Sequence, residues 1–230
     1  MNYAIIYVND RALENRQKIN SILCDFNYVD DIEFCNGNTS APWHIIDSMG
    51  IRQDVWSPYD GRSFPPLPGE LGIWVSTLNV FKYIVDNLID KLLILEDDAI
   101  LSENFVKDFE LAIKDLPEDF DFLSLSYFQD QNEIDTRTQI GSKHIHKSYN
   151  QYSNGVGMVY SLKGAKKALK LLKRTGIEYT SDCYLFHYSQ NDILNGYSLI
   201  KKESPLVSHM HSKIESLIDP ENIRETYNDL

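Results

Sequence analysis

The sequence is poor in cysteine, has fewer basic than acidic residues, and lacks any long apolar run. It contains three cysteines, Cys24, Cys35 and Cys183, with no CxxC spacing. Because this odd number argues against a disulfide framework, we interpret them as three buried thiols in a reducing cytosol. No apolar run approaches the ~20 residues of a transmembrane helix, and residues 1–3 lack the basic start of a signal peptide. We therefore expect a cytoplasmic protein without a transmembrane segment.

The charge is strongly acidic and unevenly distributed. The sequence contains 22 Lys and Arg residues and 34 Asp and Glu residues, which gives a net charge of −12. This balance disfavours a nucleic-acid partner, since non-specific binding needs a basic face for the phosphates. Residues 86–135 hold fifteen acidic and only three basic residues, so this stretch accounts for the whole net charge. The 230 residues are 43% apolar, enough for a sizeable core in one compact domain over 1–230.

Apolar strands and amphipathic helices alternate along the chain, which predicts an α/β fold. A strand, a helix and a second strand open the sequence, and this βαβ unit indicates a parallel sheet with helices on its faces. The run at 92–95 is entirely apolar, as in a central strand covered on both sides. The predicted strands are 4–8, 32–35, 92–95, 120–128, 156–161 and 197–201, and the predicted helices are 11–26, 69–88, 105–113, 163–174 and 181–187.

An acidic triplet, Glu96-Asp97-Asp98, directly follows the most strand-like run in the chain. Ligands of open α/β sheets lie at the carboxyl ends of strands, where this triplet falls. If the strand continues through it, Glu96 and Asp98 point the same way and Asp97 faces elsewhere. Two such carboxylates suit a hard divalent cation, Mg²⁺ or Mn²⁺, with positions left for substrate phosphates. The alternative is a solvated strand end that happens to be acidic.

About forty residues around this triplet resemble glycosyltransferase family 25, which includes lipopolysaccharide and collagen galactosyltransferases. The family pattern is a Gly-Glu-aliphatic-Gly-Cys turn opening a helix with Ser-His, then a strand ending in Glu-Asp-Asp. This chain departs from it at Ile73, where the family has Cys, and at Thr77, where it has His. The matching residues are Pro68-Gly69-Glu70-Leu71-Gly72, Ser76, Leu93-Ile94-Leu95-Glu96-Asp97-Asp98-Ala99 and Asn104-Phe105.

The resemblance implies a GT-A-like fold with a Rossmann-type, mixed and mostly parallel sheet flanked by helices. In that fold residues 1–100 form the half that binds the nucleotide sugar, and residues 101–230 form the half that binds the acceptor. It also implies a UDP-hexose donor with Mn²⁺ or Mg²⁺. A metal held by carboxylates can neutralise the charge on a leaving diphosphate without proton transfer, which agrees with the acidic triplet.

By this resemblance Asp98 is the expected direct metal ligand, and Glu96 is a second ligand or a ribose contact. GT-A enzymes often complete the metal shell with a late histidine, which makes His209 a third candidate ligand. It stands in His209-Met210-His211, where extended backbone places both histidines on one face. The alternative is that these histidines are polar surface residues near a mobile terminus.

Seven residues are candidate contacts to the donor. Asn9, with Val8 before it, ends the first strand and could hydrogen-bond the base or ribose. Arg11 and Arg16 could meet the diphosphate, because a guanidinium offers a planar fork to phosphate oxygens, although Arg on a helix is often only a solvated charge. The family pattern adds three residues to this set: Glu70, Ser76 and Asp97.

Asp182 is the candidate general base. An inverting transfer needs a carboxylate or histidine to take the proton of the acceptor hydroxyl on the face opposite the leaving group. Asp182 lies in the turn Thr180-Ser181-Asp182, which resembles a later turn of the family that contains Asp. The competing interpretation is a helix N-cap, for which Ser181 or Asp182 is well suited.

The sequence therefore predicts a metal-dependent glycosyltransferase of glycan biosynthesis. The resemblance implies an inverting hexosyltransferase that moves galactose or glucose from UDP to an acceptor hydroxyl. The acceptor can be a glycan, a lipid-linked intermediate or a protein side chain. Two alternatives stay open. One is another metal-dependent enzyme of nucleotide phosphates, a nucleotidyltransferase or a diphosphate hydrolase. The other is a non-catalytic relative that binds nucleotides or carbohydrates, which the change at Thr77 makes conceivable.

Overall fold

Strands and helices alternate along the chain in the computed structural model of the protein. The structure describes residues 1–8, 12–34, 41–52, 68–126, 139–140, 145–147, 155–199 and 206–209. The strands in these ranges are β1 Asn2–Tyr7, β2 Asn27–Glu33, β3 Lys91–Glu96, β4 Ala99–Leu101, β5 Phe122–Ser124, β6 Gln139–Ile140, β7 Ile145–Lys147, β8 Gly157–Ser161, β9 Gly196–Leu199 and β10 Val207–His209. The helices are α1 Leu13–Ile22, α2 Ala41–Ser48, α3 Pro68–Asp86, α4 Phe105–Asp115, α5 Leu162–Thr175 and α6 Ser181–Gln190.

Eight strands form one mixed sheet in the order β2-β1-β3-β8-β5-β9-β7-β6, and β10 pairs with β4 in a second, two-stranded sheet. Pairing is parallel between β2 and β1, between β1 and β3, and between β5 and β9. The other pairs in the large sheet are antiparallel, so six of its eight strands point the same way. The predicted mixed, mostly parallel sheet is confirmed, and so is the βαβ opening.

The sheet separates two apolar cores. On one face α2, α3, α5 and α6 pack against the sheet through side chains such as Trp74 and Phe81. On the other face α1 and α4 pack through side chains such as Ile19 and Phe109. The strand β3 serves both cores, because Leu92 and Ile94 face the first and the leucines at 93 and 95 face the second. This confirms the prediction of a central strand covered on both sides.

Several predicted boundaries were wrong. The second predicted strand, 32–35, overlaps only the end of β2, which starts earlier, at Asn27, and ends at Glu33. The helix α3 ends at Asp86, and Leu88 beyond it adopts a positive φ of 53°. The strand predicted over 120–128 is reduced to β5, with residues 127 and 128 outside the described ranges.

Two of the three cysteines lie in the described part of the chain. Neither Cys24 nor Cys183 forms a disulfide, but Cys24 is exposed and Cys183 is half-buried, so the expectation of buried thiols is wrong for both. Cys35 lies outside the described ranges. None of the helices in those ranges is both long and apolar enough to cross a lipid bilayer.

Candidate functional site

The acidic triplet lies at the carboxyl edge of the sheet, beside the end of the first strand. Because β1 and β3 are parallel and Ile6 pairs with Glu96, both strands deliver their last residues to the same edge. The Glu96 amide donates to the Val156 carbonyl at 3.0 Å, so the residues before β8 also meet the triplet. This edge is where an open α/β sheet binds its ligand.

The triplet does not continue the strand, which corrects the sequence-based argument. The strand β3 ends at Glu96, Asp97 and Asp98 form a turn, and β4 begins at Ala99. The period of two therefore does not align Glu96 with Asp98. Asp97 is buried at 1% exposure, and its Oδ2 accepts a hydrogen bond of 2.9 Å from the Val8 amide. This bond joins the ends of the two strands and gives Asp97 a structural role at the site.

Asn15 also stabilises the acidic turn, although no feature of the sequence marked this residue. Its Nδ2 donates to the Asp97 carbonyl at 2.9 Å and to the Ala99 carbonyl at 2.7 Å. Asn15 is buried on α1, so the helix that follows β1 fixes the backbone of the turn after β3. In the sequence it is one polar residue on a polar helix, and no local pattern distinguishes it.

The strand pairing brings His209 next to this turn. In the antiparallel pair of β4 and β10, His209 lies opposite Ala99, the residue after Asp98. The two are far apart in sequence, so only the fold reveals this placement. Within the described ranges no three His, Cys, Asp or Glu side chains cluster closely enough to hold a metal ion. The side chain of His209 is not among the described ones, and Asn9 and Arg11 lie outside the described residues.

A cleft next to the triplet brings in Asp182 from a distant part of the chain. The Glu96 and Asp182 side chains line the same cleft, on β3 and on the first turn of α6. Thr77 of α3 and Tyr160 of β8 also line it. The complete lining is Ile6, Ile73, Thr77, Val80, Ile94, Glu96, Gly155, Tyr160, Ser181 and Asp182.

The Asp182 carboxylate is held by its own turn. Its Oδ1 accepts from Thr180 Oγ1 at 2.8 Å and from the Cys183 amide at 2.8 Å. Burial raises the pKa of Asp182 above its ordinary value, and these two hydrogen bonds oppose the rise. The N-cap of α6 is Thr180, so the alternative that placed the cap at Ser181 or Asp182 is wrong.

Tyr160 is a further residue of the cleft, and it was not predicted as a site residue. It is only 6% exposed, and the edge-to-face contact of its ring with Phe81, at 5.0 Å between centroids, fixes its position. Burial raises the pKa of the Tyr160 hydroxyl, and the negative charges of Asp182 and Glu96 raise it further. In the sequence it is an aromatic residue of a buried strand, which is the usual place for a core residue.

None of the five described candidate donor contacts lines the cleft, and three of them have other surroundings. Ser76 is fully buried, and its hydroxyl donates to the Gly72 carbonyl at 3.1 Å within α3. Glu70 is buried in the first turn of the same helix. Arg16 pairs with Asp31 at 3.3 Å and stacks on Tyr7 with 4.6 Å between guanidinium carbon and ring centroid. The family's Ser-His pair corresponds to Ser76 and Thr77 in this chain. Of these two residues, Thr77 lines the cleft and Ser76 does not.

Two glycines explain how the chain before β8 approaches the turn and β10. A Cβ on Gly155 would lie 3.6 Å from Glu96 Oε1, an ordinary contact. A Cβ on Gly157 would lie 2.8 Å from Val207 Cγ2, too close without a shift of that side chain. The backbone of this segment therefore lies close to its neighbours, and at Gly157 the neighbour is β10.

These elements define an α/β protein with a carboxylate-lined cleft at the carboxyl edge of a mixed sheet. A family model described as Glycosyltransferase family 25 (LPS biosynthesis protein) matches residues 67–185, more than half of the chain. The chain belongs to glycosyltransferase family 25. The resemblance noted in the sequence is thereby confirmed, and the expected α/β fold with a mixed, mostly parallel sheet flanked by helices is present. A comparison with curated proteins finds no match.

Three solved structures resemble the chain at low identity. Mouse xyloside xylosyltransferase 1 in its apo form is 10% identical, with 94% of this chain and 100% of that chain covered and a TM-score of 0.48. A glycosyltransferase involved in glycosylation of the major capsid of PBCV-1 is 11% identical, with 98% and 100% covered and a TM-score of 0.45. S. aureus TarS 1–349 in complex with UDP-GlcNAc is 15% identical, with 98% and 64% covered and a TM-score of 0.40.

Proposed function

We propose that this member of family 25 is a metal-dependent hexosyltransferase that moves galactose or glucose from UDP to an acceptor hydroxyl with inversion. The observation that supports this most directly is the cleft shared by Glu96 and Asp182 at the carboxyl edge of the sheet. In this proposal one of the two carboxylates faces the diphosphate, and the other, separate carboxylate faces the acceptor. Two carboxyl groups in different environments are what a transfer with proton abstraction requires.

The donor end of the proposed site is the acidic turn. Glu96 and Asp98, with His209 from β10, would hold Mn²⁺ or Mg²⁺, because these ions prefer carboxylate oxygen ligands. Gly155 suits this role, because the chain carries no side chain at this position beside the Glu96 carboxylate. When bound, the ion supplies Lewis-acid neutralisation of the leaving diphosphate.

The chain's own residues support the donor end in two ways. The Asp97 carboxylate and the Asn15 amide fix the backbone of the turn through their bonds to Val8, Asp97 and Ala99. Among the predicted donor contacts, Val8 and Arg16 follow or flank the end of β1, with Asn9 and Arg11 next in the chain. We retain these four as the proposed contacts to the nucleotide, and we assign Ser76 and Asp97 to the scaffold.

The acceptor end of the proposed site is Asp182. A general base works best when its pKa lies near the operating pH, and burial moves the pKa of Asp182 upward, in that direction. Its Oδ1 accepts two hydrogen bonds from its own turn, which hold the carboxylate in one orientation. In the proposed reaction this carboxylate takes the proton of the acceptor hydroxyl. The acceptor class remains a glycan, a lipid-linked sugar or a protein side chain.

A donor screen tests the proposal. Thermal stabilisation by UDP-galactose and UDP-glucose is measured with Mn²⁺ and again with excess chelator, and nucleotide products are separated by chromatography. We expect stabilisation that the chelator abolishes, and UDP as the product. Asp98→Ala should remove the metal-dependent stabilisation, whereas Asp108→Ala, a change at an exposed acid of α4, should keep it. Wild-type turnover by the Asp98→Ala variant, or a nucleoside monophosphate product, would overturn the proposal.

A further inference from the structure

The hydroxyl of Tyr160 has no hydrogen-bond partner within the described ranges, although the residue is 94% buried. Other tyrosine hydroxyls in the structure do have partners. Tyr3 donates to Asn20 at 3.0 Å, Tyr184 pairs with Thr175 at 2.9 Å, and Tyr188 donates to Glu178 at 2.5 Å. A tyrosine hydroxyl in a buried setting normally finds a partner. The Tyr160 oxygen is not among the side-chain atoms that are both fully buried and unpartnered, so it opens onto the cleft. Because Tyr160 lines the cleft, a bound ligand can supply the missing partner.

The surroundings of Tyr160 restrict the chemistry of that ligand. The Asp182 side chain lines the same cleft as Tyr160, and a tyrosine hydroxyl is protonated at neutral pH, so it can act as a donor there. The Asp182 carboxylate, which the proposed metal does not neutralise, repels an anion at this end of the cleft. The remaining walls are Thr77, Ser181, Gly155 and aliphatic side chains such as Ile73. An uncharged group that carries hydroxyls fits these walls, and an acidic one does not.

We propose that the Tyr160 hydroxyl donates a hydrogen bond to a hydroxyl of the acceptor, and that the cleft selects neutral sugars over acidic ones. This inference rests on the proposed function, because it assigns the cleft next to Asp182 to the acceptor. It extends that function by naming a binding residue and a substrate class. Tyr160 would hold the acceptor hydroxyl group beside the Asp182 carboxylate, while the ring contact with Phe81 keeps the tyrosine fixed.

Binding of free sugars tests the inference directly. The probes are galactose, glucose and N-acetylglucosamine, each titrated by ligand-detected NMR, with galacturonate and glucose 6-phosphate as acidic counterparts. The variant Tyr160→Phe removes only the hydroxyl and keeps the ring. Tyr83→Phe is the matched control, since Tyr83 lies on α3 outside the cleft lining.

We expect the wild type to bind at least one neutral sugar about tenfold more tightly than its acidic counterpart. Tyr160→Phe should lose about tenfold in affinity for that sugar, as for one lost hydrogen bond, and Tyr83→Phe should bind like the wild type. Equal binding of galactose and galacturonate to the wild type would overturn the inference without any variant. So would unchanged affinity in Tyr160→Phe, or the absence of any sugar binding to the wild type.

The failure of this inference is distinguishable from failure of the proposed function. UDP release from UDP-galactose with Mn²⁺ tests the function, and the affinity for free sugars tests the inference. If the wild type releases UDP while Tyr160→Phe keeps its sugar affinity, only the inference fails. If the wild type never releases UDP while Tyr160→Phe loses sugar affinity, the function fails and the binding assignment stands. A loss of UDP-galactose affinity in Tyr160→Phe would contradict the assignment to the acceptor.

Discussion

Removal of the Asn15 side chain amide should loosen the acidic turn on which the proposed site depends. Asn15 Nδ2 donates to the carbonyls of Asp97 and Ala99 at 2.9 and 2.7 Å. Both acceptor residues are 1% exposed, so water has little access to replace the lost donor. Asn15→Ala therefore removes two bonds and leaves two buried carbonyls without this partner.

The size of the effect follows from these two bonds. A buried hydrogen bond contributes about 1 kcal/mol net, and an unsatisfied buried group costs about 1–3 kcal/mol. We expect Asn15→Ala to lower the free energy of unfolding by about 2–4 kcal/mol. Since a domain of this size loses about 2–4 °C of Tm per kcal/mol, Tm should fall by roughly 5–15 °C. The variant should remain folded, because total stability is typically about 5–15 kcal/mol.

Urea unfolding followed by circular dichroism measures this change. The matched control is Gln17→Ala, an exposed position on the same helix, where we expect a change within about 0.5 kcal/mol. Asn15→Asp should be at least as destabilising as Asn15→Ala, because a carboxylate cannot donate to two carbonyls. If Asn15→Ala is as stable as Gln17→Ala, or if Asn15→Asp matches the wild type, the two hydrogen bonds of Asn15 do not stabilise the acidic turn.

Two further changes test other parts of the structure. Burial raises the pKa of Asp182 above its ordinary 3.8, so its contribution to stability is greatest at acid pH and is lost as pH rises through the folded pKa. Asp182→Asn should therefore gain stability relative to the wild type between pH 4 and pH 8 in urea titrations; a difference that does not change with pH would refute this. Gly164→Ala should destabilise by about 3 kcal/mol or more, because its Cβ would lie 2.0 Å from the Asp121 carbonyl oxygen. Gly155→Ala, whose Cβ has only an ordinary contact, is its control in thermal melting, and equal Tm values would contradict the packing argument.

The central strand and the helices around it could be predicted because their signals are local. The apolar run at 92–95 identifies a strand with both faces covered, and the structure places these residues in two different cores. The helix α5 begins as expected from its apolar stripe, with the Ser161 hydroxyl accepting from the Gly164 amide at 2.9 Å. The acidic triplet was found for the same reason, since it adjoins that strand in sequence.

The rest of the candidate site depends on contacts between distant parts of the chain. Nothing near Asn15 indicates that it will meet carbonyls more than eighty residues away. Tyr160 has the local pattern of a core residue, and only the position of α6 puts Asp182 in its cleft. The turn at Asp97 was misjudged because strand periodicity cannot show where the chain leaves the sheet. Its buried carboxylate instead bonds the Val8 amide at the end of the neighbouring strand.

The most direct test of the central claim is a crystal structure of the protein with Mn²⁺ and UDP. We predict an anomalous-scattering peak for manganese in contact with the Asp98 carboxylate and a diphosphate oxygen. The uridine should lie near the end of β1. A peak elsewhere on the surface, or an Asp98 carboxylate that faces bulk solvent with no metal while UDP is bound, would contradict it.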